Sequence, residues 1–343
     1  MRRPLPRWSF PHRKAAGAAL IGAMLTVALV AILSANAFWQ QWRSIEVQTA
    51  GLSQLQATWL LMGTLDWGRA RLHEDGRLAG GVDHPGEAWA QPVSELPLSA
   101  FLALAGSSPA QAATGDGLPE ALVSLQLTDA QARMNVINLI EGQNISPAWL
   151  NAFGKLFAML GLPPAELDAL AEGLRLASVP AGPPGGGSAA PLLPQQTAQL
   201  VLLGLAPSTL AALEPYITVL PARTPLNLNS ASVEVMAASI PGFTRSDADR
   251  VAVARRITPL QSVVDAGIPV GLNHGQFSVV SRFFALQASL RSGRLVVTEQ
   301  ALLQREGLDV RLLWHRRSAT PSGPSTPARP NTPAASGGSG SMT

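Results

Sequence analysis

The sequence predicts a mixed α+β protein carried on one long N-terminal helix. Three observations support that expectation. An uncharged, mostly apolar run extends from Ala15 to Trp42. Strand-like alternation occurs at Val123–Thr128 and returns after Phe283. Between those strands the apolar residues recur at helical spacing, so an antiparallel sheet should be built at both ends of the body with a helical insert between.

The apolar run follows a basic cluster of Arg2, Arg3, Arg7, Arg13 and Lys14. About 20 apolar residues cross a bilayer core as a helix, so this run can span. The basic cluster places the N-terminus on the cytoplasmic side and the body outside. Phe38, Trp39 and Trp42 stand where an aromatic belt meets the outer interface. A secretory signal peptide has a shorter apolar core and a small-x-small site beyond it. Here the run is longer and Ser34-Ala35-Asn36-Ala37 is a weak site, so the segment should be retained. No proline occurs between Ala15 and Pro85, and Leu52, Leu55, Trp59, Leu60, Met62, Leu65 and Trp67 keep near-helical spacing. One helix is therefore expected from about Ala15 to about Arg71, roughly 80 Å long.

Gly76–Gly81 and Asp83–Trp89 read as loop. Helical signals run from Asn138 to Ala177, with a restart at Pro163-Pro164-Ala165-Glu166: proline in the first turn, then an acid at the positive dipole end. Pro180–Pro191 reads as a linker, and Gln195–Gly204 and Ser208–Glu214 as further helices. In Thr224–Ala266, Ser230 or Ser232 caps a helix through Met236, Pro241-Gly242 breaks it, and Ser246–Ile257 forms the next helix. Phe283–Arg291, Leu295–Leu303 and Val310–Trp314 alternate as strands, separated by the turns Ser292-Gly293 and Glu306-Gly307. Ser318–Thr343 is rich in Pro, Ser, Thr and Gly and is expected to be disordered.

The chemistry classes are narrowed by composition. No cysteine is present, which excludes disulfides, thiolate zinc sites and cysteine nucleophiles. His12, His73, His84, His274 and His315 are scattered, and the sequence has no nucleophile elbow, phosphate loop or dinucleotide fingerprint. The chain is not expected to be an enzyme. A net charge of +3 is too slight a footprint for nucleic acid.

The leader Arg13-Lys14-Ala15-Ala16-Gly17, followed directly by the apolar helix, resembles that of type IV pilins and pseudopilins. The resemblance implies that a prepilin peptidase cuts between Gly17 and Ala18, methylates Ala18 and leaves the apolar segment as an anchor. Most members carry a glutamate at the fifth mature position, which pairs with the buried terminal amine of a neighbour. Here that position is Gly22. A buried amine without its partner costs several kcal/mol, but a subunit with nothing ahead of it lacks that obligation, which points to a filament tip. Three further segments resemble motifs of the protein K family of type II secretion systems: Asp83, Glu87, Trp89 and Ala90; Asp129, Arg133, Asn135, Asn138 and Leu139; and Asn227, Asn229, Ala231 and Ser232.

That resemblance implies a single-pass inner-membrane minor pseudopilin with a periplasmic body. Its pilin-like sheet would hold a large helical insert, SAM-like or helix-hairpin-helix-like. Its role would be at the pseudopilus tip, initiating or limiting assembly for export of folded proteins across the outer membrane. The implied partners are other minor pseudopilins, the major pseudopilin, the prepilin peptidase, the inner-membrane secretion platform and membrane lipid, with no nucleic acid. The expected segments are leader 1–17, transmembrane helix 18–40, periplasmic helix 41–72, first sheet part 73–130, helical regions 131–222 and 223–282, C-terminal strands 283–316 and tail 317–343.

The family likeness also implies calcium, for which Asp83, Glu87 and Asp129 are the candidate ligands. Calcium takes six to eight oxygens. The plainer alternative is that Asp83 and Asp129 cap turns or helices and Glu87 is solvated. Asn135 and Asn138 read as residues that satisfy backbone groups. Asn227–Arg256 has a competing reading as a helix-hairpin-helix unit of a membrane-anchored DNA-uptake protein. Its turn, Gly242-Phe243-Thr244-Arg245, lacks the second glycine that would let backbone N–H groups reach a phosphate, so a protein-contact unit is the favoured reading.

Overall fold

The computed structural model describes residues 16–78, 81–106, 121–179, 191–268, 275–293 and 295–321. The chain divides into two units, Met1–Trp59 and Leu60–Thr343. Helix α1 (Ala16–Leu78) contributes to both. In the first unit its stretch Leu20–Ser44 has a mean hydropathy of 2.1 and no buried residue, and it is long and apolar enough to cross a membrane. A helix satisfies its own backbone groups, so it tolerates lipid on every side.

In the second unit α1 buries Leu61, Leu65 and Leu72, which with Gly68 form one face at helical spacing. The chain then forms β1 (Val93–Pro97), α2 (Leu98–Leu104) and β2 (Ala121–Asp129). Next comes a helical insert with short pairing segments. It holds β3 (Met134–Asn135), β4 (Ile140–Glu141), β5 (Asn144–Ile145), α3 (Pro147–Leu160) and α4 (Pro164–Ser178). It continues with α5 (Pro207–Leu213), β6 (Ile217–Thr218), β7 (Leu226–Asn227), α6 (Val233–Ser239), α7 (Arg245–Ile257) and β8 (Phe277–Ser278). The chain returns as β9 (Phe283–Ser292), β10 (Leu295–Glu306) and β11 (Asp309–Pro321).

The main sheet has the order β1-β2-β9-β10-β11 and is antiparallel throughout. Its register produces two different faces, because side chains alternate along each strand. Val123–Leu290–Val297 and Leu127–Leu286–Ala301 form buried rows on the face that meets α1. The opposite face carries the polar rows Ser124–Ser289–Thr298–Ser318 and Gln126–Gln287–Gln300–Arg316. A charge lies beside these buried rows. Glu299 is fully buried and is held by Arg317 Nε and His315 Nδ1 from β11, each 2.5 Å from a carboxylate oxygen.

The expected sheet with an inserted helical region is what the structure shows. In the insert, Phe153, Leu156, Phe157, Leu170 and Leu174 share one core with Leu228, Val235, Met236 and Ala248. Ser232 caps α6 by accepting from Val235 N, Pro163 precedes α4, and Glu166 accepts from the Ala206 N–H at 2.9 Å.

Four local expectations are corrected. Helix α1 continues to Leu78, so Gly76 is helical and not loop; it passes close to Gly307 O in the β10–β11 turn, where a side chain would be crowded. Residues 318–321, expected in the tail, are strand, because β11 stays paired with β10 as far as Leu295↔Pro321. The segment read as a helix at Gln195–Gly204 is a 3-10 helix, Thr197–Leu203. Strand β1 and helix α2 were not read from the sequence, since Pro92 and Pro97 bracket so short a strand. The linker residues 180–190 and the tail from 322 lie outside the described residues.

A Cβ at position 68 would run into Leu286 Cδ1 in the packed sheet. Gly68→Leu should therefore lower stability by about 1–3 kcal/mol through overpacking. Gly68→Ala should lie closer to neutral, because the helix propensity gain of about 1 kcal/mol offsets a smaller clash. Urea unfolding of the full chain in detergent checks this; equal midpoints for wild type and Gly68→Leu would contradict the close approach.

Candidate functional site

The polar centre of the molecule lies where the end of α1, the loop after it, the end of β2, the Asn227 loop and the segment leading into β9 meet. Asp83 is only 1% exposed. Its N–H donates to Val279 O at 2.8 Å, and one carboxylate oxygen accepts from Ser281 N at 2.7 Å. The other accepts from Arg305 Nη2, and Arg305 Nη1 donates to Asp75 Oδ2 at 2.6 Å. The guanidinium also donates to Ser281 O at 3.2 Å and stands 4.9 Å from the Phe284 ring centroid, within cation–π range. Glu87 Oε2 accepts from His84 N at 2.9 Å and from Trp89 Nε1 at 2.8 Å, so Glu87 closes a turn.

These placements set the charges. Burial, together with the nearby charge of Glu87, raises the Asp75 pKa against the opposing pull of Arg305. Burial disfavours the Arg305 cation, but Asp83 and Asp75 more than offset it and hold its pKa above the ordinary arginine value.

Asp129 lies apart from this group, in an adjoining network. It caps the 3-10 helix Ala130–Ala132 by accepting from Gln131 N at 2.8 Å, and its other oxygen accepts from Asn227 Nδ2 and Ser281 Oγ, each at 2.7 Å. Asn227 Nδ2 also reaches Asp83 O at 3.0 Å, so one amide ties the two networks together. Gln131 bridges the insert and the sheet by donating to Pro225 O and accepting from Arg282 N. Every partner of Asp129 is neutral. Burial therefore dominates and pushes its pKa up to about 6, although the hydrogen bonds from Ser281, Gln131 and Asn227 oppose the shift.

Asp75, Asp83 and Glu87 each bring one oxygen within 4.8 Å of the others. Calcium takes six to eight oxygens. Both oxygens of Asp83 and one each of Asp75 and Glu87 already accept from donors on the protein. With Asp129 standing elsewhere and a guanidinium between the acids, this set of residues does not fit a calcium ion.

The asparagines act on the backbone. Asn135 accepts from Ile137 N and Leu220 N and donates to Ala222 O, while Asn138 exchanges two hydrogen bonds with the Thr224 peptide. Asn229 does the same with the Leu260 peptide. Arg255 donates to Leu228 O and Ala231 O, pinning the Asn227 loop to α7; burial, with Arg256 beside it, lowers its pKa to about 10.

At the start of α7, Thr244 and Asp247 form a reciprocal cap: Thr244 N donates to Asp247 Oδ2 at 2.9 Å and Asp247 N donates to Thr244 Oγ1 at 3.2 Å. The Thr244 contacts and Arg250 hold the Asp247 pKa down to about 2. A carboxylate thus occupies the place where a helix-hairpin-helix turn would present N–H groups to a phosphate.

Residues 132–222, the first part of this insert, match the family model described as type II secretion system (T2SS), protein K. A type II secretion system protein K of Pseudomonas aeruginosa is 29% identical over 242 residues, covering 65% of this chain and 67% of the relative. Among solved structures, a chain of the GspK-GspI-GspJ complex from enterotoxigenic Escherichia coli superposes with a TM-score of 0.60 at 17% identity, over 79% of this chain and 99% of that one. At that identity the likeness is one of fold, and it agrees with the α+β architecture described above.

Of the residues singled out in the sequence, Asp83 and Glu87 come together, while Asp129 joins Asn227 in the neighbouring network. Gly17 and Ala18 fall in the first turn of α1, and the leader residues 1–15 lie outside the described residues. A side chain at Gly22 would meet no atom within 4 Å, so nothing in the fold itself demands glycine there. Asp75, Gln131, Ser281 and Arg305 were not singled out. Their partners lie far off in sequence, Arg305 and Asp83 being 222 residues apart.

Asp129 makes stability depend on pH. Its folded pKa of about 6 lies above the ordinary 3.8, so the protonated acid is favoured in the fold. That contribution is fully present below the ordinary value and is lost as pH rises through about 6. From pH 4 to 7.5 wild type should lose on the order of 2–3 kcal/mol relative to Asp129→Asn. Denaturant unfolding at both pH values measures the difference; parallel pH profiles for the two proteins would remove Asp129 as its source.

Proposed function

We propose that this chain is a minor pseudopilin of a type II secretion system, acting at the tip of the periplasmic pseudopilus. The observation that carries the reading is the match of residues 132–222 to the protein K model, in an insert within an antiparallel sheet whose covering helix runs on into an exposed apolar span. The apolar stretch Leu20–Ser44 anchors the chain in the inner membrane, with the N-terminus cytoplasmic and the body periplasmic. Prepilin peptidase cuts between Gly17 and Ala18, and Ala18 is methylated. Gly22 supplies no carboxylate to a subunit ahead, which suits a position with none there.

The work is mechanical: the chain starts or limits assembly, and the insert blocks further addition above it. The named complex of GspK with GspI and GspJ supports two other minor pseudopilins as partners. The major pseudopilin and the inner-membrane platform complete the set. Exposed Leu55 and Trp59 on α1 offer apolar surface for a neighbour's helix.

The mature chain should begin with methylated Ala18, and Gly17→Leu should remain uncut in cells containing the peptidase. N-terminal sequencing and intact mass decide this; a mature terminus beyond Ala37 would remove the anchor and with it the filament role. The full chain in detergent should also co-purify with the other minor pseudopilins of its system.

A further inference from the structure

We infer that Arg305 is a built-in cation which takes the place of a divalent ion between Asp75, Asp83 and Glu87, so that this junction is locked by the chain itself, independently of metal supply. The family likeness implies calcium, and the donor set in the structure does not fit it. Three carboxylates within 4.8 Å of one another need positive charge nearby, and the structure provides it from the last residues of β10.

The geometry suits a guanidinium better than an ion. Its planar fork reaches two acids on different segments, Asp75 at the end of α1 and Asp83 in the loop after it. The Arg305 side chain is 10% exposed, and those of Asp75 and Asp83 are 11% and 2% exposed. Backbone contacts fix its position: Arg305 N donates to Arg282 O at 2.7 Å, and Nη2 also reaches Ser281 O. The Phe284 ring lines one side at 4.9 Å, an apolar wall that offers no oxygen to a metal.

Glu87 is turned into place by the His84 N–H and the Trp89 indole N–H. A divalent ion in the same space would have to expel the guanidinium from Asp75 and Asp83 before those carboxylates could bind it. Arg305 thus fastens α1, the following loop and the sheet in one step, as a bridging ion would.

The test uses the full chain in detergent, with terbium as the probe ion and Trp89 as its sensitiser, because the Trp89 indole touches Glu87. Wild type should show no terbium luminescence that depends on Trp89, judged against Trp89→Phe. Its melting temperature should be the same in millimolar calcium and in chelator. Arg305→Met should melt several degrees lower and gain a several-fold luminescence that Trp89→Phe removes. If Arg305→Met does not fold, Arg305→Lys keeps the charge without the fork and should still exclude terbium. Trp89-dependent luminescence in wild type overturns the inference. So does a wild-type melting temperature that calcium raises and Asp83→Asn no longer lets it raise. A folded Arg305→Met that stays dark and melts like wild type overturns it as well.

Discussion

Charge taken out of water must be answered within the protein, and that requirement organises this fold. Removing one partner of a buried ion pair typically costs about 3–5 kcal/mol, a large part of a net stability of about 5–15 kcal/mol. Arg305 answers Asp75 and Asp83, and Arg317 answers Glu299. Asp129 is treated differently. It receives only neutral donors, so the proton itself becomes its favoured neutraliser near pH 6. Two kinds of buried acid therefore sit side by side, one matched by a fixed cation and one by an exchangeable hydrogen.

The parts of the fold that were legible in the sequence are those encoded locally. Alternation at Val123–Thr128 and from Phe283 onward marked the long strands, because a half-buried strand writes its two faces into successive residues. Pro163-Pro164 and the pair Ser230 and Ser232, of which Ser232 is the cap, marked helix starts, because orphan N–H groups there demand particular neighbours. The end of α1, strand β1 and the last residues of β11 were less legible. Each is held by tertiary pairing and not by its own residues.

The polar centre was half legible. Asp83, Glu87 and Asp129 stood out as acids in short motifs, yet whether they converge depends on residues remote in the chain. Arg305 is 230 residues from Asp75, and Ser281 is 152 from Asp129. No local spacing encodes such an arrangement. The motif asparagines tell a similar story. Asn135, Asn138, Asn227 and Asn229 hold loops by satisfying peptide groups, so the segments that resemble protein K are signatures of a fold more than of a chemistry.

The placement of the insert has a consequence for biosynthesis. Strands β2 and β9 are neighbours at the middle of the sheet, yet Thr128 and Ala285, which meet across them, are 157 residues apart in the chain. A chain emerging N-terminus first delivers its hydrophobic helix and β2 long before β9 exists. Closing so long a loop adds little to the final free energy, since the entropy grows only logarithmically with length. The cost is in time: β2 must wait with an open edge while the insert is translated. Whatever shields that edge during the wait, whether a chaperone or transient non-native pairing, belongs to the maturation of this protein as much as the fold does.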